Sequence, residues 1–177
     1  MATEKWEIDP VHSSVGFTVR HMVVAKVHGS FTKWTGNLQL DLNDLTASKV
    51  DIAIEAASIS TGEPQRDGHL KSPDFLDVEK FQKIEFQSKR IEKAGPETFR
   101  LVGDLAVHGV KHEVVLDTEF GGRAKDPWGG DRVGFTAKTK INRKDFGLEW
   151  NQTLETGGVL VGDTVEVTIE IEAKKAT

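Results

Sequence analysis

The chain contains no cysteine. Disulfides, thiol catalysis and zinc–thiolate sites are therefore excluded. It also lacks tyrosine, while carrying nine phenylalanines and four tryptophans. Phenyl rings offer apolar contact area without a hydroxyl that needs a partner. Positive charge is not in excess: 23 Lys+Arg stand against 28 Asp+Glu, a net charge of −5. An acidic, interspersed surface gives no electrostatic footprint for nucleic acid or for an anionic membrane. No apolar run approaches the roughly 20 residues of a membrane-spanning helix. The opening Met1-Ala2-Thr3-Glu4-Lys5-Trp6 has no apolar signal core. A cytoplasmic protein is expected, or a periplasmic or secreted one if a signal has been removed.

Alternation is what the sequence has. Val165, Val167, Ile169 and Ile171 interleave with Glu166, Thr168, Glu170 and Glu172. A period of two places the aliphatic residues on one face of a strand and the polar ones on the other. Eight stretches read this way, near 14–20, 27–42, 50–56, 84–86, 99–107, 114–120, 133–141 and 165–171. Consecutive strands joined by short turns favour an antiparallel meander. Residues 1–177 thus form a single all-β domain, an eight-stranded antiparallel barrel with a short helical excursion between strands three and four. In the second strand the apolar parity switches from Val27, Gly29 and Phe31 to Trp34, Gly36, Leu38 and Leu40. That slip predicts a β-bulge and a bend near Lys33.

Other segments read as connections. Residues 6–9 look like a short lead-in stopped by Pro10, and 21–26 like an apolar connector with one helical turn. The long irregular stretch 58–82 looks helical at 63–70 and again at 73–78. Gly121-Gly122 to Gly129-Gly130 reads as a glycine-rich loop, and Asp145-Phe146-Gly147 to Gly157-Gly158 as the last one. Neither glycine pair matches a phosphate loop, because no GK[ST] and no helix follow.

Six histidines (His12, His21, His28, His69, His108, His112) are scattered; His108 and His112 stand four apart but lie in or beside a turn, where that spacing does not converge as on a helix, and no metal site is expected. Ser13-Ser14 beside His12 lacks the elbow and third group of a triad. Arg66, Asp67 and His69 sit in the long excursion, where they could cap an apolar tube. Arg66 would then meet a phosphate or carboxylate, or else pair with Asp67 and pin the loop. Arg143, at a strand end, carries the same ambiguity. An interior of Phe, Val, Ile and Leu suits an alkyl or isoprenoid tail, and equally a filled core.

The segments Trp6-Glu7-Ile8-Asp9-Pro10-Val11-His12-Ser13 and Val27-His28-Gly29-Ser30-Phe31 resemble the start of the YceI-like family. Arg66-Asp67-Gly68-His69-Leu70-Lys71-Ser72-Pro73-Asp74-Phe75-Leu76-Asp77-Val78 resembles its most specific block. Gly103-Asp104-Leu105-Ala106-Val107-His108-Gly109-Val110 and Asn142-Arg143-Lys144-Asp145-Phe146-Gly147 resemble later ones. At Phe81-Gln82 the family usually has proline after the aromatic residue. The resemblance implies a lipocalin-like barrel that holds polyisoprenoid or other long amphipathic lipids, often in the periplasm. It favours a hollow interior and a non-catalytic lipid carrier without cofactor. The expected partner is a long-chain isoprenoid, isoprenoid quinone or fatty-acid-like lipid, with no nucleic acid and room for a homodimer. The ligand-binding residues expected are Phe17, Val19, His21, Phe31, Ile52, Ile54, Arg66, His69, Leu70, Phe75, Phe86, Leu105, Phe135, Ile141 and Arg143. A lipid-modifying enzyme on the same barrel and a filled barrel serving as a stress-response interaction module are the rival readings.

Overall fold

The structure, a computed structural model, describes residues 3–22, 24–152, 154 and 159–176. Its strands are β1 (Glu4–Ile8), β2 (Ser14–His21), β3 (Ala25–Phe31), β4 (Trp34–Leu40), β5 (Lys49–Glu55), β6 (Ile59–Ser60), β7 (Lys83–Lys93), β8 (Thr98–Val107), β9 (Val110–Lys125), β10 (Asp131–Asn142) and β11 (Val161–Lys175). One helix, α1 (Pro64–Lys71), lies between β6 and β7. Its first turn is capped by the Glu63 carboxylate, which accepts from the Gln65 and Arg66 N–H groups, and Pro64 enters at the start.

The strands close on themselves. The hydrogen-bonded ring runs β1-β4-β5-β7-β8-β9-β10-β11 and back to β1, eight strands, all antiparallel. Closure leaves this ring without an edge for other chains to pair with. β2 and β3 extend one wall beyond the ring, and β6 pairs with β3. The long β11 serves both: its first half faces β2, and its end faces β1.

Residues 6–8, expected as a lead-in, are therefore part of the strand that seals the barrel between β4 and β11. The expected long second strand is β3 and β4, interrupted at Thr32-Lys33 where the parity slips. The connector at 21–26 has no helical turn: β2 runs to His21, and Met22 turns the chain with φ 54°. Residues 73–78 form successive turns instead of a second helix; Phe75 and Asp77 N–H both donate to the Ser72 carbonyl. Gly121 and Gly122 lie inside β9. The pairs Phe135↔Phe120 and Gly134↔Gly122 leave Gly121 as the extra residue of a bulge, and Gly122 adopts φ 120°. The turn itself is only 126–130. Gly157-Gly158 lies outside the described residues.

The two ends of the barrel differ. At the end holding the β7–β8 and β9–β10 turns, Trp6, Leu38, Leu40, Val133 and Ala173 pack into a closed apolar plug. The opposite end holds α1, the β2–β3 turn, the His108-Gly109 turn and the 143–150 segment. Here the excursion folds over the barrel, with Phe75 and Leu76 buried among Val15, Ile54, Ile59, Val107 and Phe146 or beside them.

Candidate functional site

The barrel is hollow. A continuous interior cavity of about 390 Å³ runs between the two ends, within the size range of small-molecule sites. Its wall is built from the inward positions of every long strand. On β11 these are Val165, Val167, Ile169 and Ile171; on β10, Phe135, Ala137, Thr139 and Ile141. The acids between them point to solvent, as the period of two requires.

Glycines beside phenylalanines help keep the lumen open. Gly29 on β3 pairs with Phe17 on β2, and a Cβ there would lie 2.3 Å from the Phe17 ring. Gly103 on β8 pairs with Ser88 and lies diagonally beside Phe86 of β7; a Cβ there would be 2.6 Å from that ring and 2.5 Å from the Gln87 carbonyl oxygen. Each ring can fold flat against the sheet because its neighbour has no side chain. The interior phenylalanines therefore line a space instead of filling it.

Polar groups gather at the excursion end. Arg66 donates from Nε to Thr61 Oγ1 at 2.7 Å and from Nη2 to the Thr61 carbonyl at 3.0 Å. Asp67 takes the remaining groups of the same residue, the Thr61 N–H at 2.9 Å and its hydroxyl at 2.5 Å. Arg66 is thus not paired with Asp67; both clamp Thr61 and fix the start of α1 to the end of β6. His69 is oriented by Asp74, with Nε2 at 2.9 Å from the carboxylate. Its ring meets Phe75 and Trp150 at centroid distances of 5.1 and 4.6 Å. All three rings face the cavity.

All fifteen residues expected from sequence lie on this one cavity wall. They do not play one part there. Arg143 is 3% exposed and spends its guanidinium on backbone: Nε donates to the Gly162 carbonyl at 2.9 Å, Nη1 to Leu148 and Nη2 to Val161 at 3.5 Å. Burial lowers its pKa from the ordinary arginine value, with Asp163 opposing the shift. It latches the 143–148 segment to the start of β11. Thr61, Leu148, Trp150, Leu160 and Val161 also line this end and were not anticipated.

A histidine–carboxylate cluster lies outside the cavity. Among the described residues, Asp9, His12 and Glu172 bring three metal-capable atoms together. A cation already occupies the group: Arg132 Nη1 lies 2.9 Å from Asp9 and 3.2 Å from Glu172, and its Nε lies 3.1 Å from Asp126. The cluster ties the β1–β2 loop to β10 and β11. Hydrogen bonding to Asp9 raises the His12 pKa above its ordinary 6.5, and the same bond holds the Asp9 carboxyl well below its ordinary 3.8. The His12 contribution is therefore complete below pH 6.5 and is lost as pH rises through the raised value. The Asp9 contribution is complete above pH 3.8 and is lost on acidification through the lowered value. Both groups are solvent-accessible, so the effect is small. The melting-temperature gap between wild type and His12→Ala is expected to be widest between these limits and to narrow on alkaline titration. Thermal melts across pH check this; a gap that keeps widening as pH rises above 6.5 contradicts it.

A family model described as YceI-like domain matches residues 6–173. A UPF0312 protein of Staphylococcus epidermidis is 40% identical over 163 residues, covering 92% of each chain. Among solved structures, Burkholderia cenocepacia BcnA superposes with a TM-score of 0.83 at 19% identity, over 97% of this chain and 100% of that one. A polyisoprenoid binding domain from Saccharophagus degradans superposes with a TM-score of 0.72 at 13% identity, over 97% and 98%. The matched span begins at the tryptophan that plugs the closed end and stops at its packing partner Ala173, so it takes in the whole barrel: this chain belongs to the YceI-like family.

Proposed function

We propose that the protein binds a long amphipathic lipid in its barrel, a polyisoprenoid, isoprenoid quinone or fatty-acid-like molecule, and carries or sequesters it without chemistry. The observation that carries this reading is the polarity of the cavity. Its wall is aliphatic and phenyl over most of its length, with Arg66, His69, His21 and Thr61 collected at one end. A lipid has the same division. Each methylene moved from water into the tube contributes about 0.8 kcal/mol, while a polar head stays near groups that can hydrogen-bond it. The fold shared with a polyisoprenoid binding domain supports the choice by analogy.

The test is to fill the tube. Ala137 lies on the inward face of β10 and borders the cavity. Ala137 also packs with the buried Phe86, Leu101 and Leu116, so in Ala137→Phe the added ring fills the lumen only where the variant still folds, which a thermal melt reads. Excluding two methylenes of a tail corresponds to about 15-fold in Kd. Titration of a fluorescent prenyl lipid against wild type and variant, with a thermal melt as control, reads this directly. Unchanged affinity in a folded variant places the lipid elsewhere. Mass spectrometry of lipids extracted from the purified protein identifies the ligand.

A further inference from the structure

The described residues include six large apolar side chains left exposed, and three of them meet at one place. Met22 (43% exposed) and Val24 (83%) form the β2–β3 turn, and Val159 (39%) precedes β11. The Met22 N–H donates to the Leu160 carbonyl at 2.9 Å, which joins the turn to that segment. The neighbouring residues on both chains, His21, Leu160 and Val161, line the cavity. The patch is therefore part of the rim at the cavity's polar end.

Two basic residues stand at its base, while the nearby Asp163 is paired with Lys144. Arg20 and Lys26 sit directly opposite each other across the β2–β3 hairpin, and both are exposed. Like charges in facing positions disfavour the pairing. Neither makes an ion pair among the described residues. An apolar tip with two cations at its base has the composition of an interfacial anchor. The valine and methionine enter the acyl boundary, and the long basic side chains reach back to phosphate groups.

We propose that this hairpin tip docks the open end of the barrel on the surface of an anionic lipid bilayer. The net charge of −5 does not oppose this, because screening confines the interaction to about 8–10 Å around the tip. The inference rests on the cavity holding a lipid. A rim seated in the headgroups lets a tail pass between bilayer and tube without crossing water, where its exposed apolar surface would be costly.

Vesicle flotation tests it. The probes are vesicles of phosphatidylcholine alone and of equal parts phosphatidylcholine and phosphatidylglycerol. Wild type is expected to float with the mixed vesicles, and high salt is expected to release it. Val24→Ser should weaken this about tenfold or more, and Lys26→Gln about fivefold. Trp128→Ser, an equally exposed apolar residue in the β9–β10 turn at the far end, should change nothing. Neither Val24 nor Lys26 borders the cavity, so lipid titration in vesicle-free buffer should be unchanged in both variants. The proposal is overturned if Val24→Ser floats like wild type, if Trp128→Ser loses as much, or if anionic lipid makes no difference. It is also overturned if the tip instead drives a dimer in vesicle-free buffer that Val24→Ser dissolves. Loss of flotation with intact cavity binding removes the docking alone; flotation without cavity binding removes the carrier reading alone.

Discussion

Trp6→Ala is expected to lower stability by about 3–5 kcal/mol, the range for deleting a buried tryptophan. Trp6 is 1% exposed and packs with Leu38, Leu40, Val133 and Ala173 at the closed end. It sits on β1, and β1 is the strand that joins β4 to β11. The variant therefore loses both a large apolar contact and the plug that aligns the closing strand. In a domain of this length such a loss corresponds to about 6–20 °C in melting temperature. Trp6→Phe separates the contributions. The indole Nε1 is buried without a hydrogen-bond partner among the described residues. Phenylalanine keeps an aromatic body and removes that unpaired donor, so its cost is expected to be well below that of alanine. Urea and thermal unfolding of both variants check this. A loss under about 1 kcal/mol for Trp6→Ala would show that the barrel closes without its plug.

The same strand shows where local sequence stops being informative. β5 and β7 to β11 were legible because one face meets an apolar lumen and the other meets water, which writes a period of two into the chain. β1 has the same alternation, but only Trp6 and Ile8 carry it, and Pro10 cuts it short. Its partners lie at residues 38–40 and 173–175, and nothing within five residues encodes a pairing across the chain. Gly121-Gly122 misled in a different way. Adjacent glycines usually mark a turn, yet here the freedom is used inside a strand, for a bulge with φ 120°. The stretch 73–78 reads as helical but is not a helix; Phe75, Leu76 and Val78 lie within it. Those side chains are instead held by docking on the barrel, with the backbone satisfied by turns.

The candidate site divides along the same line. Its apolar wall follows from strand parity, so Phe17, Ile52, Phe86 and Phe135 could be placed from sequence. Part of the other end could not: Thr61, Leu148, Trp150 and Leu160 come from segments without a period to give them direction, while Arg66, His69 and Phe75 came from the block that resembles the family. Charged residues were the least legible of all. Arg66 ignores the adjacent Asp67 and reaches back five positions to Thr61. Arg143 has the look of a headgroup ligand in sequence, and the folded chain surrounds it with carbonyls.

Arg143→Met is accordingly expected to unfold the latch. Methionine keeps much of the buried volume but donates nothing. The Gly162 and Leu148 carbonyls lose their donor, while Val161 keeps the Asn151 amide at 2.7 Å. Each buried carbonyl left without a partner costs about 1–3 kcal/mol. Arg143→Lys should be nearly as damaging, because one ammonium cannot reproduce a planar fork that reaches three carbonyls. Binding then follows stability. Leu148, Leu160 and Val161 border the cavity beside the latch, so displacing them should weaken an anionic amphiphile and a bare hydrocarbon alike. Thermal melts of both variants, with titration of the two ligands, read all of this. The opposite pattern is equally definite: unchanged melting, selective loss of the anionic amphiphile in Arg143→Met and its recovery in Arg143→Lys. That result would take Arg143 out of the scaffold and make it the group that holds the lipid head.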